Sequence, residues 1–295
     1  MNNGWKMFFL LGGLAAISIW LAIAVFPKRQ LKVIACDVGQ GDAILITYGS
    51  TQILSDGGPN SSVLDCLSEN MAFWDRQIEL VLISHPQVDH FGGIIDVMER
   101  YDVVTLMTTG LKSGSQEYQV LESLVGGSET EVKKVHGGQE YGLGLIHLDI
   151  LWPTETYILA HSVESNRSLE SVLGDHTSNE DPNEFSLVTL ITFEDFDILL
   201  TGDIGPEVSN IIAEKIKDGR YNDIEVLKVP HHGSKNGMTE KFLDVVSPDM
   251  AIISVGKDNR FGHPNKEILE MLVRKGITIY RTDEIGEVVI KLEDN

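Results

Sequence analysis

Apolar residues fall along the chain in short runs separated by glycine- and aspartate-rich turns, a pattern of buried strands. Leu31 to Cys36, Ala43 to Tyr48 and Thr51 to Ser55 read as three strands, joined by Asp37-Val38-Gly39-Gln40-Gly41-Asp42 and by Gly49-Ser50. A helix is expected from Asn60, with Val63, Leu64, Leu67 and Met71 at helical spacing. The run Leu80-Val81-Leu82-Ile83 is the next buried strand and empties into a loop, Ser84 to His90, before a helical pattern opens at Gly92-Gly93. Further strands are expected at 102–107, 131–135 and 145–151, with a helix at 117–124 between them. From Pro153 to Pro182 the pattern lapses into Ser, Asn, Glu and Asp, which predicts a mobile surface loop, with an ordered lid as the alternative. A hairpin, 186–193 with 196–200, then leads into a helix from Pro206. The buried strand 224–229 follows, and the alternation of helix and strand continues to a last strand at 287–292.

Met7 to Phe26 holds no charge over 20 residues, enough helix to cross the roughly 30 Å hydrocarbon layer. A single-pass membrane anchor over residues 1–30 is therefore expected, and a signal peptide cleaved after Ala22-Ile23-Ala24 is the alternative. Lys6 opposes Lys28, Arg29 and Lys32 across this run, leaving extracytoplasmic placement of the remainder a preference from a nearly balanced count. Residues 31–295 contain no linker-like break and read as one mixed α/β domain. The two cysteines, Cys36 and Cys66, are too few for a disulfide framework and are expected as core thiols. Net charge is −21, and the first 30 residues contribute only cations, so the domain repels polyanions. Strong non-specific nucleic-acid binding is not expected, and a phosphate-bearing substrate would have to be held locally.

Four strand tips carry metal-ligand residue types: Asp56, then His85, Asp89 and His90, then Asp203, then His231-His232. Gathered in one place, imidazoles and carboxylates hold one or two divalent cations such as Zn2+ or Mn2+, and a carboxylate like Asp203 can bridge a pair. Asp56 taken alone is as readily a turn former or cap. On an extended backbone His231 and His232 point apart, so one of them is expected as a ligand. His136 and His147 stand alone on their segments and are expected to be ordinary residues.

His85-Pro86-Gln87-Val88-Asp89-His90 resembles the H-x-H-x-D-H signature of the metallo-β-lactamase fold. Asp37 to Ala43, Ser55 to Gly58, Leu200 to Asp203, Lys228 to Ser234 and Gly262-His263-Pro264 are similar, in order, to the lactamase-like domain of the ComEC competence proteins. The resemblance implies a four-layer αββα sandwich with its metal site at the edge between two sheets, and hydrolysis, of phosphodiesters in particular, by a metal-activated water. It implies that His263 acts as general acid or phosphate contact, with Asp89 also catalytic, and that Ser234 and Lys235 contact the anion. Gln40, Asp42 and Asp56 are expected beside the ligands or the substrate. Two departures stand out. Gln87 replaces the second signature histidine, and Asn183 and Ser186 stand where many relatives have another. The implied first metal site is therefore poor in nitrogen, while Asp89, His90, Asp203 and one of His231 and His232 complete a second. ComEC proteins carry a large polytopic region as well, so DNA uptake by this chain alone is not expected. The alternatives are a degenerate binding module of the fold with little catalysis, or another of its hydrolases, a thioesterase or β-lactamase.

Overall fold

Each sheet is built so that strand tips bearing polar residues meet at one edge. In the computed structural model, which describes residues 3–25, 27, 29–164, 171–218, 221 and 223–292, a helix α1 (Asn3–Val25) precedes the domain. The first sheet takes β1 (Leu31–Ala35), β2 (Ile44–Tyr48), β3 (Thr51–Ser55), β4 (Gln77–Leu82), β5 (Asp102–Thr108) and β6 (Glu131–Lys134). The second takes β7 (Glu140–Leu143), β8 (Ile146–Trp152), β11 (Val188–Phe193), β12 (Phe196–Leu200), β13 (Val226–Lys228), β14 (Met250–Ile253) and β15 (Thr278–Arg281). The last strand, β16 (Val288–Lys291), returns to pair antiparallel with β1 and closes the order β16-β1-β2-β3-β4-β5-β6. The second order is β15-β14-β13-β12-β11-β8-β7.

In both sheets a hairpin meander gives way to parallel strands. β3, β4, β5 and β6 run parallel, as do β12, β13, β14 and β15. Parallel neighbours put their carboxyl ends on one edge, and there Ser55 leads to Asp56, Leu82 to His85, Leu200 to Asp203 and Lys228 to His232.

Strand alternation supplies the core between the sheets. Val33, Ile46, Ile53, Leu80 and Leu82 face Leu148, Ile150, Ile191, Ile198, Val226 and Ile252. The opposite face of the first sheet, including Ile34, Leu45, Leu54 and Val81, is covered by α2 (Val63–Asn70), α3 (Val88–Arg100) and α4 (Gln116–Gly126). The second sheet's outer face is covered by α6 (Pro206–Asp218), α7 (Glu240–Val246) and α8 (Lys266–Arg274). The result is the four-layer αββα arrangement.

Four expectations change. The segment 153–182 contains α5 (Glu155–His161), capped by the Thr154 hydroxyl, a short ribbon of β9 (Val163–Glu164) with β10 (His176–Thr177), and a 3-10 turn at Pro182–Phe185; its residues 165–170 lie outside the described set. β7 and a short α9 (Thr282–Ile285) were hidden by weak periodicity. Cys36 and Cys66 are not separate thiols: they form a disulfide between the end of β1 and α2, which lie over the same face of the first sheet. Finally, α1 exposes large apolar side chains from Trp5 to Trp20, and its side chains at 19 and 21–25 lie outside the described set. Among the described residues no helix is long and apolar enough to cross a membrane.

The disulfide closes a sequence separation of 30 residues. Its reduction, or Cys66→Ser, is expected to lower stability by about 3 to 4 kcal/mol, the entropy of loop closure being returned to the unfolded chain. Urea unfolding with and without reductant measures this, and coincident transitions would contradict it.

Candidate metal centre

The ligand-bearing stretch after β4 is less of a loop than its sequence suggests. α3 begins at Val88, so Asp89 and His90 occupy its first turn, with Gln87 at the N-cap in extended conformation. Phe91, Ile94 and Val97 bury the helix against the core, which fixes the direction in which His90 points. Close packing sets the position of Asp89. Gly41 lies against it so tightly that a Cβ there would come within 2.2 Å of the Asp89 carbonyl oxygen, and its φ is +136°. The amide of Asp42 donates to that same carbonyl at 3.2 Å. Only glycine at 41 lets the 37–42 loop reach the helix.

Asp56 has donor atoms within 4.8 Å of those of Asp42 and His90, but both of its oxygens are engaged by hydrogen bonds. Its Oδ1 accepts from the Ser84 amide at 2.7 Å, and its Oδ2 accepts from the Ser84 hydroxyl at 2.7 Å and from His90 Nδ1 at 2.9 Å. Ser84 Oγ in turn lies 3.0 Å from His85 Nδ1. One buried carboxylate thus orients two imidazoles, His90 directly and His85 through a hydroxyl, and both present Nε2 on the side away from it. Ser186 plays a similar part. Its Oγ lies 3.2 Å from His85 Nδ1 and accepts from the Asp203 amide at 3.1 Å, so it ties these two residues together from behind.

His231 and His232 are separated by backbone conformation, though not as an extended chain would separate them. Both adopt the left-handed region, φ 51° and 53°, and their rings stand at 85°. His232 is buried, lies 3.3 Å from Asp42 Oδ1 through Nδ1, and shares that nitrogen with the Ser254 carbonyl at 2.9 Å. His231 turns outward to face His263 across 5.9 Å, and it enters none of the donor clusters found among the described residues.

The structure therefore brings together His85, Asp89, His90, Asp203 and His232. Donor atoms of His85, His90 and Asp203 lie within 4.8 Å of one another, as do those of Asp89, His90 and His232. His232 Nε2 and His90 Nε2 approach Asp203 Oδ2 at 3.2 and 3.5 Å, and Asp89 lies 3.8 Å from His232 Nε2. Three buried imidazole nitrogens, the Nε2 atoms of His85, His90 and His232, have no hydrogen-bond partner, and neither has Asp203 Oδ1. Buried polar atoms are ordinarily paired. Their convergence fits a divalent cation bound by nitrogen and carboxylate oxygen. Asn183 Oδ1 is also buried and unpartnered, whereas Gln87 contributes its backbone to the helix start. Ser234 is buried under the turn, Lys235 is exposed, and Gln40 accepts from the Gly256 amide at 3.3 Å.

Two residues escaped the sequence reading. Ser84 had no signal beyond its place between a strand and His85. Lys228 is a charge inside an apolar run, and it is buried in an ion pair with Asp42. Burial opposes charge on Asp42, but Lys228 and His232 outweigh it and hold the carboxyl down at about 2. Burial likewise opposes protonation of His232 and His90. For His232, Asp203 and Asp42 reverse that and raise the imidazole to about 9; for His90, Asp203 and Asp56 raise it well above the ordinary value. His85 goes the other way, pushed well down by burial and then by the charge on His90. Asp203 is held well below the usual carboxylate range by His232 and His90 despite its burial.

A family model for the metallo-beta-lactamase superfamily matches residues 36–257. The chain belongs to this superfamily. Among its relatives, "Recombination protein 2" of Haemophilus influenzae is 28% identical over 88% of this chain and 29% of that protein. "ComE operon protein 3" of Bacillus subtilis is 24% identical over 94% of this chain and 35% of that protein. The chain thus spans about a third of the length of these curated relatives. The metallo-beta-lactamase fold protein YhfI from Bacillus subtilis shares the fold, with a TM-score of 0.56 at 11% identity, covering 89% of this chain and all of that one. The expected resemblance to competence proteins holds.

Metal binding must displace protons from His90 and His232, so affinity for Zn2+ is expected to rise from pH 6.5 to about 9. Chelator competition across that range checks it, and a flat profile would contradict it. The metal-free protein follows the opposite course. The stabilising contribution of protonated His232 is complete below 6.5 and is lost as pH rises through about 9, so the apoprotein's melting temperature falls over that window. Asp56→Asn is expected to weaken metal binding by about 10- to 100-fold.

Proposed function

We propose that the chain is a metal-dependent hydrolase of phosphodiesters. The observation that carries the reading is the convergence of three unpartnered buried imidazole nitrogens with Asp203. Asp89, His90, Asp203 and His232 would hold one cation, and His85 with Asp203 and a neutral oxygen, that of Asn183, a second. A divalent cation in such a site supplies Lewis acidity and lowers the pKa of water. The protein's own part is orientation and proton handling. Asp56 and Ser84 fix the His90 and His85 rings so that each Nε2 would face a bound cation, and Lys228 keeps Asp42 ionised against His232. His263 stands half-buried at the mouth beside His231. Burial, then the neighbouring imidazoles His231 and His232, push its pKa down, and an anionic substrate alongside would raise it again. That makes His263 the residue suited to giving a proton to a departing alkoxide.

Relatives named for recombination and competence favour a nucleic-acid phosphodiester as the substrate class to test first. We propose that the uncharged run 7–26, part of which lies outside the described residues, anchors the chain with the hydrolase domain on the extracytoplasmic side; the exposed apolar side chains of α1 support this reading. The Cys36–Cys66 disulfide supports that side, since disulfides persist in oxidising compartments.

The full chain is expected to cleave bis(p-nitrophenyl) phosphate when supplied with Mn2+ or Zn2+, and Asp203→Ala to abolish turnover. Turnover without metal, or an unaffected variant, would sink the assignment. His263→Ala is expected to lower kcat by about 100-fold at unchanged metal content. A second reading, a binding module holding one ion, draws on the absence of a nitrogen ligand at Gln87. One ion per chain with no turnover of any phosphodiester, thioester or β-lactam would establish it instead.

A further inference from the structure

Between β14 and α8, the segment from Gly256 to Lys266 forms a rim beside the metal centre. Asn259 makes it rigid. Its amide side chain donates to the carbonyls of Gly256 and His263, both at 2.8 Å, and its Oδ1 accepts from the His263 amide at 3.0 Å. Both ends are tied to segments that flank the ligands. The Gly256 amide donates to the Gln40 side chain, and the Asn265 amide donates to the Gly233 carbonyl at 2.8 Å, one residue beyond His232.

This fixed loop holds an aromatic ring in the open. Phe261 is 67% exposed although nothing in the loop's own geometry requires an apolar residue there. Its ring lies nearly parallel to the His263 imidazole, at 15° and 5.9 Å between centroids. His263 faces His231 at 5.9 Å, and His231 stands 6.3 Å from His232 in the centre. A row of rings thus leads from the ligands to an exposed aromatic face. The charge of the loop also departs from that of the protein. In a chain of net charge −21, residues 256–266 carry Lys257, Arg260 and Lys266 against a single acid, Asp258. Lys266 pairs with Glu270, while Lys257 and Arg260 form no ion pair among the described residues.

We propose that this rim is a nucleotide-binding element, in which Phe261 stacks on the base next to the scissile phosphodiester and Lys257 and Arg260 hold the flanking phosphates of a single strand. A planar base matches an exposed ring at a fixed distance from the metal centre, and stacking tolerates any base. Local cations supply the attraction that the acidic domain as a whole denies a polyanion. The proposal rests on the phosphodiester reading and adds to it the residues that contact base and backbone.

The test uses binding, so that it does not depend on turnover. Fluorescence anisotropy of the full, metal-loaded chain compares a short single-stranded oligodeoxythymidylate with the same backbone carrying abasic residues. The base-bearing strand is expected to bind about ten-fold more tightly. Phe261→Ala should erase that difference at unchanged metal content, Phe261→Trp should keep it, and Arg260→Glu should weaken both strands alike. Equal binding of the two strands by the wild-type chain, or a preference that survives Phe261→Ala, overturns the base contact. Unchanged binding in Arg260→Glu overturns the phosphate contact. A base preference lost with Phe261, alongside no turnover of bis(p-nitrophenyl) phosphate, would keep the base and phosphate contacts and refute both the hydrolase reading and the placement of that base beside a scissile bond; turnover without the preference would keep the hydrolase reading and overturn the contacts.

Discussion

The structure depends on a buried carboxylate that orients the imidazoles of the candidate centre. Asp56, buried at a strand tip, accepts from the Ser84 amide and hydroxyl and from His90, and through Ser84 it reaches His85. Without it, two imidazoles buried among apolar side chains would be free to turn toward other partners. With it, their Nε2 atoms are left unpaired in a buried space, a state tolerable only if something else satisfies them. Asp42, paired with Lys228, gives His232 the same support from the other sheet.

That arrangement explains why the fold is built as two sheets that each change from antiparallel to parallel. Parallel strands deliver Asp56 and His85 from one sheet and Asp203 and His232 from the other to a common edge. The apolar layer between the sheets, with Ile53, Leu82, Ile198 and Val226 among its members, holds the two edges in register. Close backbone contacts complete the fit. Gly41 against Asp89 and Gly93 against the 57–60 turn are approaches that a side chain would block, since a Cβ at 93 would come within 2.1 Å of the Gly57 carbonyl oxygen.

The electrostatics divide between the interior and the rim. Inside, buried carboxylates raise the pKa of both His90 and His232 and so favour their protonated forms. At the mouth, His231 and His263 face each other, and the loop carrying Lys257, Arg260 and Phe261 stands beside them. An acidic protein thereby keeps a small basic and aromatic margin next to its buried cluster of imidazoles and carboxylates. The Cys36–Cys66 disulfide fastens the residue immediately before the 37–42 loop to α2.

The sequence by itself determined most of the strands, because short β-branched runs bounded by glycine and aspartate have one stable reading. It also marked His85, Asp89, His90 and Asp203 as candidates, since they follow buried strands where polar side chains have no structural reason to cluster. The weak periodicity of 140–143 concealed β7, and the polar composition of 153–182 concealed a helix whose stability comes from the Thr154 cap and from packing around Trp152 and Tyr157. Only the tertiary structure decided which of His231 and His232 faces inward, because left-handed backbone dihedrals, not strand alternation, set their directions. It alone showed which partners Asp56 and Ser186 hold, His90 and Ser84 for the one and His85 and the Asp203 amide for the other, and it alone joined two cysteines 30 residues apart. Each of these is a contact between segments distant in the chain, and a contact of that kind leaves no periodic trace in the sequence that makes it.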